Sequence, residues 1–135
     1  MDLTNPRRIT RRFAVGCRVW AIPEGYIPGA SHGPEPAMTS HETACILNAG
    51  PQDAHVEIAV FFKDRDPAGP YRATVPARRT LHLRFNELAE PEPIPRDTDY
   101  ATLIESDVPI VVQHTRLDSR QAENALMTTM AHPVG

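Results

Sequence analysis

Apolar and polar residues alternate in short bursts along this chain, and the bursts have the period of a β-strand. Over residues 13–22, Phe13, Val15, Cys17 and Val19 fall on one face and Ala14, Arg18, Trp20 and Ile22 on the other. Residues 42–47 predict a second strand, closed by the turn signal Asn48-Ala49-Gly50-Pro51. A third is expected over 56–63, with Val56, Ile58, Val60 and Phe62 inward. Residues 71–75 make a fourth. After the bend at Pro76-Ala77-Arg78, residues 80–85 make a fifth, with Leu81, Leu83 and Phe85 inward. Residues 98–105 predict a short helix, capped by Asp97 or Thr98, with Tyr100, Leu103 and Ile104 on one apolar face. A strand over 109–115 starts at Pro109 and continues through the β-branched Ile110, Val111 and Val112. Residues 125–131 fit either period, because Leu126, Met127 and Met130 have helical spacing, but the all-β surroundings favour a last strand. Short strands at such intervals are those of an antiparallel sandwich or barrel.

Composition narrows this to a single all-β domain with long proline-rich loops and at most one short helix. A chain of 135 residues can bury one core. Its 14 prolines cluster at 23–36, 67–76 and 91–95, where they punctuate short segments. Two connections, 23–40 and 86–107, are long for so small a domain, as functional or interface loops often are. The organisation expected is a basic arm at 1–12, a β-sandwich at 13–131 and a short tail at 132–135. The net charge of −3 argues against a strongly basic nucleic-acid binder. It leaves room for a local patch at Arg7, Arg8, Arg11 and Arg12, read either as a solvated terminus or as an anchor for acidic lipid or nucleic acid. No apolar run has the length of a membrane span and the first twelve residues lack a signal-peptide core, so a soluble cytoplasmic protein without membrane insertion is expected. Cys17, beside Val15 and Val19, reads as a buried free thiol, and a disulfide with Cys45 as the lesser alternative.

The candidate chemistry concentrates in residues 109–124, PIVVQHTRLDSRQAEN. After the apolar start, Gln113, His114, Arg116, Asp118, Arg120, Glu123 and Asn124 follow almost without interruption. Such a stretch suits a small polar ligand or a neighbouring subunit. It also suits a turn that satisfies its own backbone, with Asp118 capping and Gln121 three residues on. His41 and Glu42, with His114 and His55, raise a metal or acid–base pair, but adjacent strand residues face opposite ways and no HxH or HExxH spacing exists. Ser40, Ser106 and Ser119 lie outside any GxSxG elbow, and no glycine-rich phosphate loop precedes a helix. The expectation is a protein that is not an enzyme and carries no cofactor. The remaining pattern is a polar binding surface. Trp20, Glu24 and Tyr26 flank the first long loop, and Arg78, Arg79, Asn86, Gln113, Arg116 and Arg120 add donors suited to sugars or other small polar ligands. Equally, those arginines could pair with Glu24, Glu42 or Glu123 across strands or subunits.

Seven blocks carry a family resemblance: WAIPEGYIP (20–28), GPEP (33–36), SHETACILNAG (40–50), DAHVEI (53–58), GPYRATVPARRT (69–80), RFNEL (84–88) and PIVVQHTRLDSRQAENAL (109–126). They resemble the sensory rhodopsin transducer family, over residues 18–131. The resemblance implies a compact β-sandwich protomer assembled as a homotetramer, with a signalling role and no enzymatic activity. It implies a membrane photoreceptor or other signalling protein as partner, with DNA or a sugar-like metabolite as further ligands. The family's motif residues fall on Trp20, Glu24, Tyr26, His41, Glu42, Arg78, Arg79, Asn86, Gln113, His114, Arg116, Asp118, Arg120, Glu123 and Asn124. The chain departs from the family in its basic arm before Arg18, at Ala30-Ser31-His32, and in its short HPVG end. Two readings follow: a ligand-binding signalling module, and a DNA-binding regulator acting through Arg7–Arg12 and Arg78–Arg79 multiplied by tetramer symmetry. A metal-dependent enzyme using His41 and His114 is a distant third.

Overall fold

The computed structural model describes residues 14–134. The expected basic arm at 1–12 and the start of the first expected strand at Phe13 lie outside that range. Eight strands follow in order: β1 (Cys17–Gly25), β2 (His41–Asn48), β3 (Ala54–Phe62), β4 (Ala68–Val75), β5 (Arg79–Arg84), β6 (Tyr100–Asp118), β7 (Ala125–Met130) and β8 (His132–Pro133). A single 3-10 turn, Phe85–Glu87, ends β5. All ladders are antiparallel. One sheet runs β4-β3-β6-β1-β8 and the other β5-β2-β6-β7, and the two share β6. This is the all-β sandwich that the alternating pattern predicts.

The long strand β6 overturns two expectations. Residues 98–105 do not form a helix, and Pro109 does not begin a strand; both lie on or beside the 19-residue β6. The spacing of Tyr100, Leu103 and Ile104 suggests a helical face, but Tyr100, Thr102, Ile104 and Ser106 are the residues buried, with period two. A strand wins here because β1 and β3 flank this half on both sides and supply its backbone partners (Ile104 pairs with Trp20 and with Ile58). The second half leaves that sheet and pairs with β2 and β7, from Val111 and Gln113 onward. Residues 107–109 fall between the two sets of ladders, so Pro109, which has no N–H, sits where none is needed. Asp107 uses the gap: its carboxylate accepts the His55 backbone N–H at 2.8 Å and meets His55 Nδ1 at 2.7 Å, anchoring the start of β3. The backbone donation from His55 holds the Asp107 carboxyl below its ordinary range.

The core lies between the sheets. Val56, Ile58 and Val60 from β3, Ala44 and Ile46 from β2, and Ile104, Ile110 and Val112 from β6 are all essentially inaccessible. The two long connections add Ile27 and Ile94, buried equally deeply. Each isoleucine buried this way contributes about 1.5–3 kcal/mol, so the loops are fastened by their own apolar plugs. They are also fastened to each other, since the Asp97 carboxylate accepts Gly29 N–H at 2.9 Å and Asp97 N–H donates to Ile27 O at 2.9 Å. Cys17 and Cys45 are free thiols, half-buried rather than buried. No helix among the described residues is long and apolar enough to cross a membrane.

Gly16 leads into β1 with φ +99°, and a Cβ there would lie 2.0 Å from Ile110 O. Gly16→Ala therefore loses at least about 1–3 kcal/mol of stability, measured as a lower denaturant midpoint with unchanged slope.

Candidate functional site

Glu42 occupies the second position of β2, and the alternation that buries Ala44 and Ile46 turns its carboxylate inward as well. A bare carboxylate there is costly unless it is paired and hydrogen-bonded. Four donors meet that need. Oε1 accepts from His114 Nε2 at 2.8 Å and from Arg116 Nε at 3.1 Å. Oε2 accepts from Tyr26 N at 2.8 Å and from the Tyr100 hydroxyl, which sits in very close contact. Arg116 pairs directly across the ladder from Glu42, and His114 lies two residues earlier on the same inward face of β6. Outside this inner ring, Arg116 Nη2 also bonds the Glu24 carboxylate near the end of β1. Asn86 bridges the other side: its Oδ1 accepts Glu42 N–H at 3.3 Å and its Nδ2 donates to Ser40 O at 2.9 Å.

The electrostatics follow from burial. Desolvation and the adjacent Glu42 charge push the Tyr100 phenol far above its ordinary pKa. Burial by itself lowers the Arg116 pKa, but Glu24 and Glu42 more than reverse this and raise it. Both oxygens of Glu42 are engaged by donors. The cluster joins the end of β1, the head of β2, both ends of β6 and the start of the first long loop.

A cleft of about 370 Å³ opens beside it, between β1 and β7. Its walls are mostly apolar, from Ile22, Met127 and Ala131, with Glu24, His114, Thr128, Thr129 and His132 as the polar members. His114 thus belongs both to the Glu42 cluster and to the cleft.

A family model described as Anabaena sensory rhodopsin transducer matches residues 15–133. The chain belongs to this family. Among solved structures it is similar to the Anabaena sensory rhodopsin transducer at 63% identity and a TM-score of 0.70, covering 76% of this chain and 99% of that one. It is also similar to the protein in the crystal structure of Thermotoga maritima 1070, at 35% identity and a TM-score of 0.80, covering 89% and 97%. No curated protein matches the chain.

The transducer-family motif residues do not all converge. Glu24, Tyr26, Glu42, Asn86, His114 and Arg116 meet in the cluster. Arg120 lies beside it, its guanidinium 5.6 Å from the centre of the Tyr26 ring while it forks onto Asp118, so Asp118 does serve a local turn. Trp20 is not an exposed platform. It is buried in the core, its indole N–H shared between Cys17 O and Ile110 O at 2.9 and 3.0 Å. His41 and Gln113 sit on the outward face of the β2–β6 sheet, His41 Nδ1 within 2.6 Å of Thr39 O and Gln113 accepting from Thr115 at 3.0 Å. Arg78 and Arg79 lie at the far end of β2, where Arg79 pairs with Asn48, about 20 Å from Glu42 at strand spacing. Arg78 holds the bend there at φ 57°, its N–H donating to Gly50 O. Glu123 and Asn124 are exposed beyond β6.

Sequence reasoning missed Tyr100 and the β7 wall of the cleft. The signal for Tyr100 was the two-residue alternation through Ser106; for Met127 and Thr129 it was the strand reading of 125–131.

Two outcomes test the cluster. Glu42→Gln leaves Arg116 without its buried counter-charge and costs about 3–5 kcal/mol in equilibrium unfolding. The folded protein keeps the Tyr100 phenol neutral, whereas the unfolded chain ionises it near pH 10. Stability from this group is complete below about pH 10 and declines as the pH rises beyond it, because only the unfolded state then releases the proton. Tyr100→Phe shows a shallower alkaline decline, read from denaturant midpoints across that range.

Proposed function

We propose that this chain is a non-enzymatic signalling module. It works as a homotetramer beside a membrane photoreceptor or another signalling protein, and is set by a small polar metabolite of sugar-like size. The observation that carries the ligand part is the shared position of His114. A ligand lying in the β1–β7 cleft reaches His114 and Glu24, and through them Arg116 and Glu42. Its volume, about 370 Å³, is within the range of small-molecule sites. Engagement of Glu24 or His114 by a ligand polar group changes what Arg116 and Glu42 bind. Tyr26, Tyr100 and Asn86 then feel it at the base of both long loops.

The assembly part is supported by the outward face of β2 and β6. Thr43, Cys45, Leu47, Val111, Gln113 and Thr115 line it without an Asp, Glu, Lys or Arg. Depletion of charge is the compositional mark of an interface core. The partner reading rests on family membership, since the named relative is a sensory rhodopsin transducer.

A thermal-shift screen tests the ligand. A sugar or related metabolite that binds only the native state raises the midpoint in a dose-dependent way, by the equivalent of about 2.7 kcal/mol at a hundredfold excess over its dissociation constant. Thr129→Trp, which fills the cleft from β7, abolishes that shift. A flat response to every small molecule, with a salt-sensitive shift from duplex DNA, turns the reading to a DNA-binding regulator.

A further inference from the structure

The cleft between β1 and β7 holds a polar atom that the Glu42 cluster leaves idle. His114 is only 6% exposed, and its Nε2 donates to Glu42 Oε1 at 2.8 Å. Its Nδ1 has no hydrogen-bond partner among the described residues. Nor is that atom sealed, because Thr102 Oγ1 is the one enclosed side-chain polar atom left without a partner among those residues. The ring lines the cleft, so the cleft is the opening through which Nδ1 is reached. With the Nε2 hydrogen directed at Glu42, the neutral ring presents Nδ1 as a bare acceptor.

Two further acceptors stand beside it. Glu24 bonds Arg116 through Oε2, and its Oε1 meets no donor among the described residues. The two side chains are close neighbours, since Arg116 binds both Glu24 and Glu42 Oε1, the oxygen that also receives His114. Thr129 lies directly opposite His114 on the β6–β7 ladder. Its hydroxyl turns its hydrogen toward Met130 O at 3.4 Å, leaving lone pairs for a donor in the cleft. None of the described residues lining the cleft is a lysine or arginine.

Such a lining selects by charge and by donor count. An anion would face the Glu24 carboxylate and acceptor lone pairs, while the nearby Arg116 is already shared by two carboxyl groups. A hydroxyl offers one donor to three acceptors. A primary ammonium offers three N–H donors on one atom, and its charge complements Glu24. The apolar walls accept an apolar body behind that head. We infer that the cleft binds a primary amine carried on a compact apolar body, its ammonium held by Glu24 Oε1, His114 Nδ1 and Thr129 Oγ1. This rests on the reading of the cleft as the ligand site and names the class of ligand that the site takes.

Isothermal titration calorimetry on the full chain tests it with phenethylamine, phenethyl alcohol and hydrocinnamate, which share an apolar body and differ in the head group. The amine binds about tenfold or more tightly than the alcohol, as a charge-assisted contact requires, and the carboxylate does not bind. Glu24→Gln keeps the shape of an exposed side chain, lowers amine affinity about tenfold and leaves the alcohol unchanged. Thr129→Val removes the third acceptor and also weakens the amine, which decides the matter should Glu24→Gln fail to fold. Alcohol or carboxylate binding as tight as that of the amine, or amine binding that both substitutions leave unchanged, overturns the inference. Binding of glucose that Thr129→Trp abolishes, with the amine ignored, keeps the ligand site and overturns the amine assignment. No binding of any of these compounds overturns both.

Discussion

The Glu42 carboxyl group, buried between two sheets and met by four donors, is the constraint on which the rest of this site depends. Its burial is set by strand alternation, and it is tolerable only because every lone-pair direction finds a donor. Those donors come from parts of the chain far apart in sequence: Tyr26 in the first loop, Tyr100 at the start of β6, and His114 and Arg116 further along it. One charge therefore ties the entry of the first long loop to the exit of the second. The same requirement explains why the surrounding side chains are so polar. They are occupied in neutralising and orienting a single carboxylate.

The long β6 strand makes this convergence possible. Its first half belongs to one sheet and its second half to the other, so Tyr100 and His114 approach Glu42 from different layers of the sandwich. The crossover also determines where the sandwich closes and where it stays open. β2 and β3 flank β6 on one side, with β1 and β7 on the other. Only a short β8 follows β1, and among the described residues no strand follows β7. The cleft is that unclosed side. Its apolar wall and the exposed edge of β7 are two consequences of one topological fact.

The outward faces divide by charge in a way that fits this geometry. The β4–β3–β6 face carries Glu57, Arg72, Glu105 and Asp107, in part paired across strands, as a solvated surface does. The β2–β6 face carries none of these charges.

Much of the fold was legible in the sequence. The two-residue alternation in β3 and β5 located their inward residues, and Asn48-Ala49-Gly50-Pro51 marked the turn after β2, because strand period and turn chemistry are local properties. The blocks from Trp20 to Leu126 placed the chain in its family, and the motif residues they contain include most of the Glu42 cluster. What the sequence could not decide was long-range. Whether residues 100–106 form a helix or a strand depended on β1 and β3 being present to receive their hydrogen bonds. The expected indole platform at Trp20 became a core residue because Ile110 O, 90 positions away, was there to accept its N–H. Glu42 and His114, 72 positions apart, were joined by the ladder. Local pattern determined the strands and their faces; only the tertiary structure decided which polar residues would share one buried charge, because that choice belongs to strand pairing rather than to any residue alone.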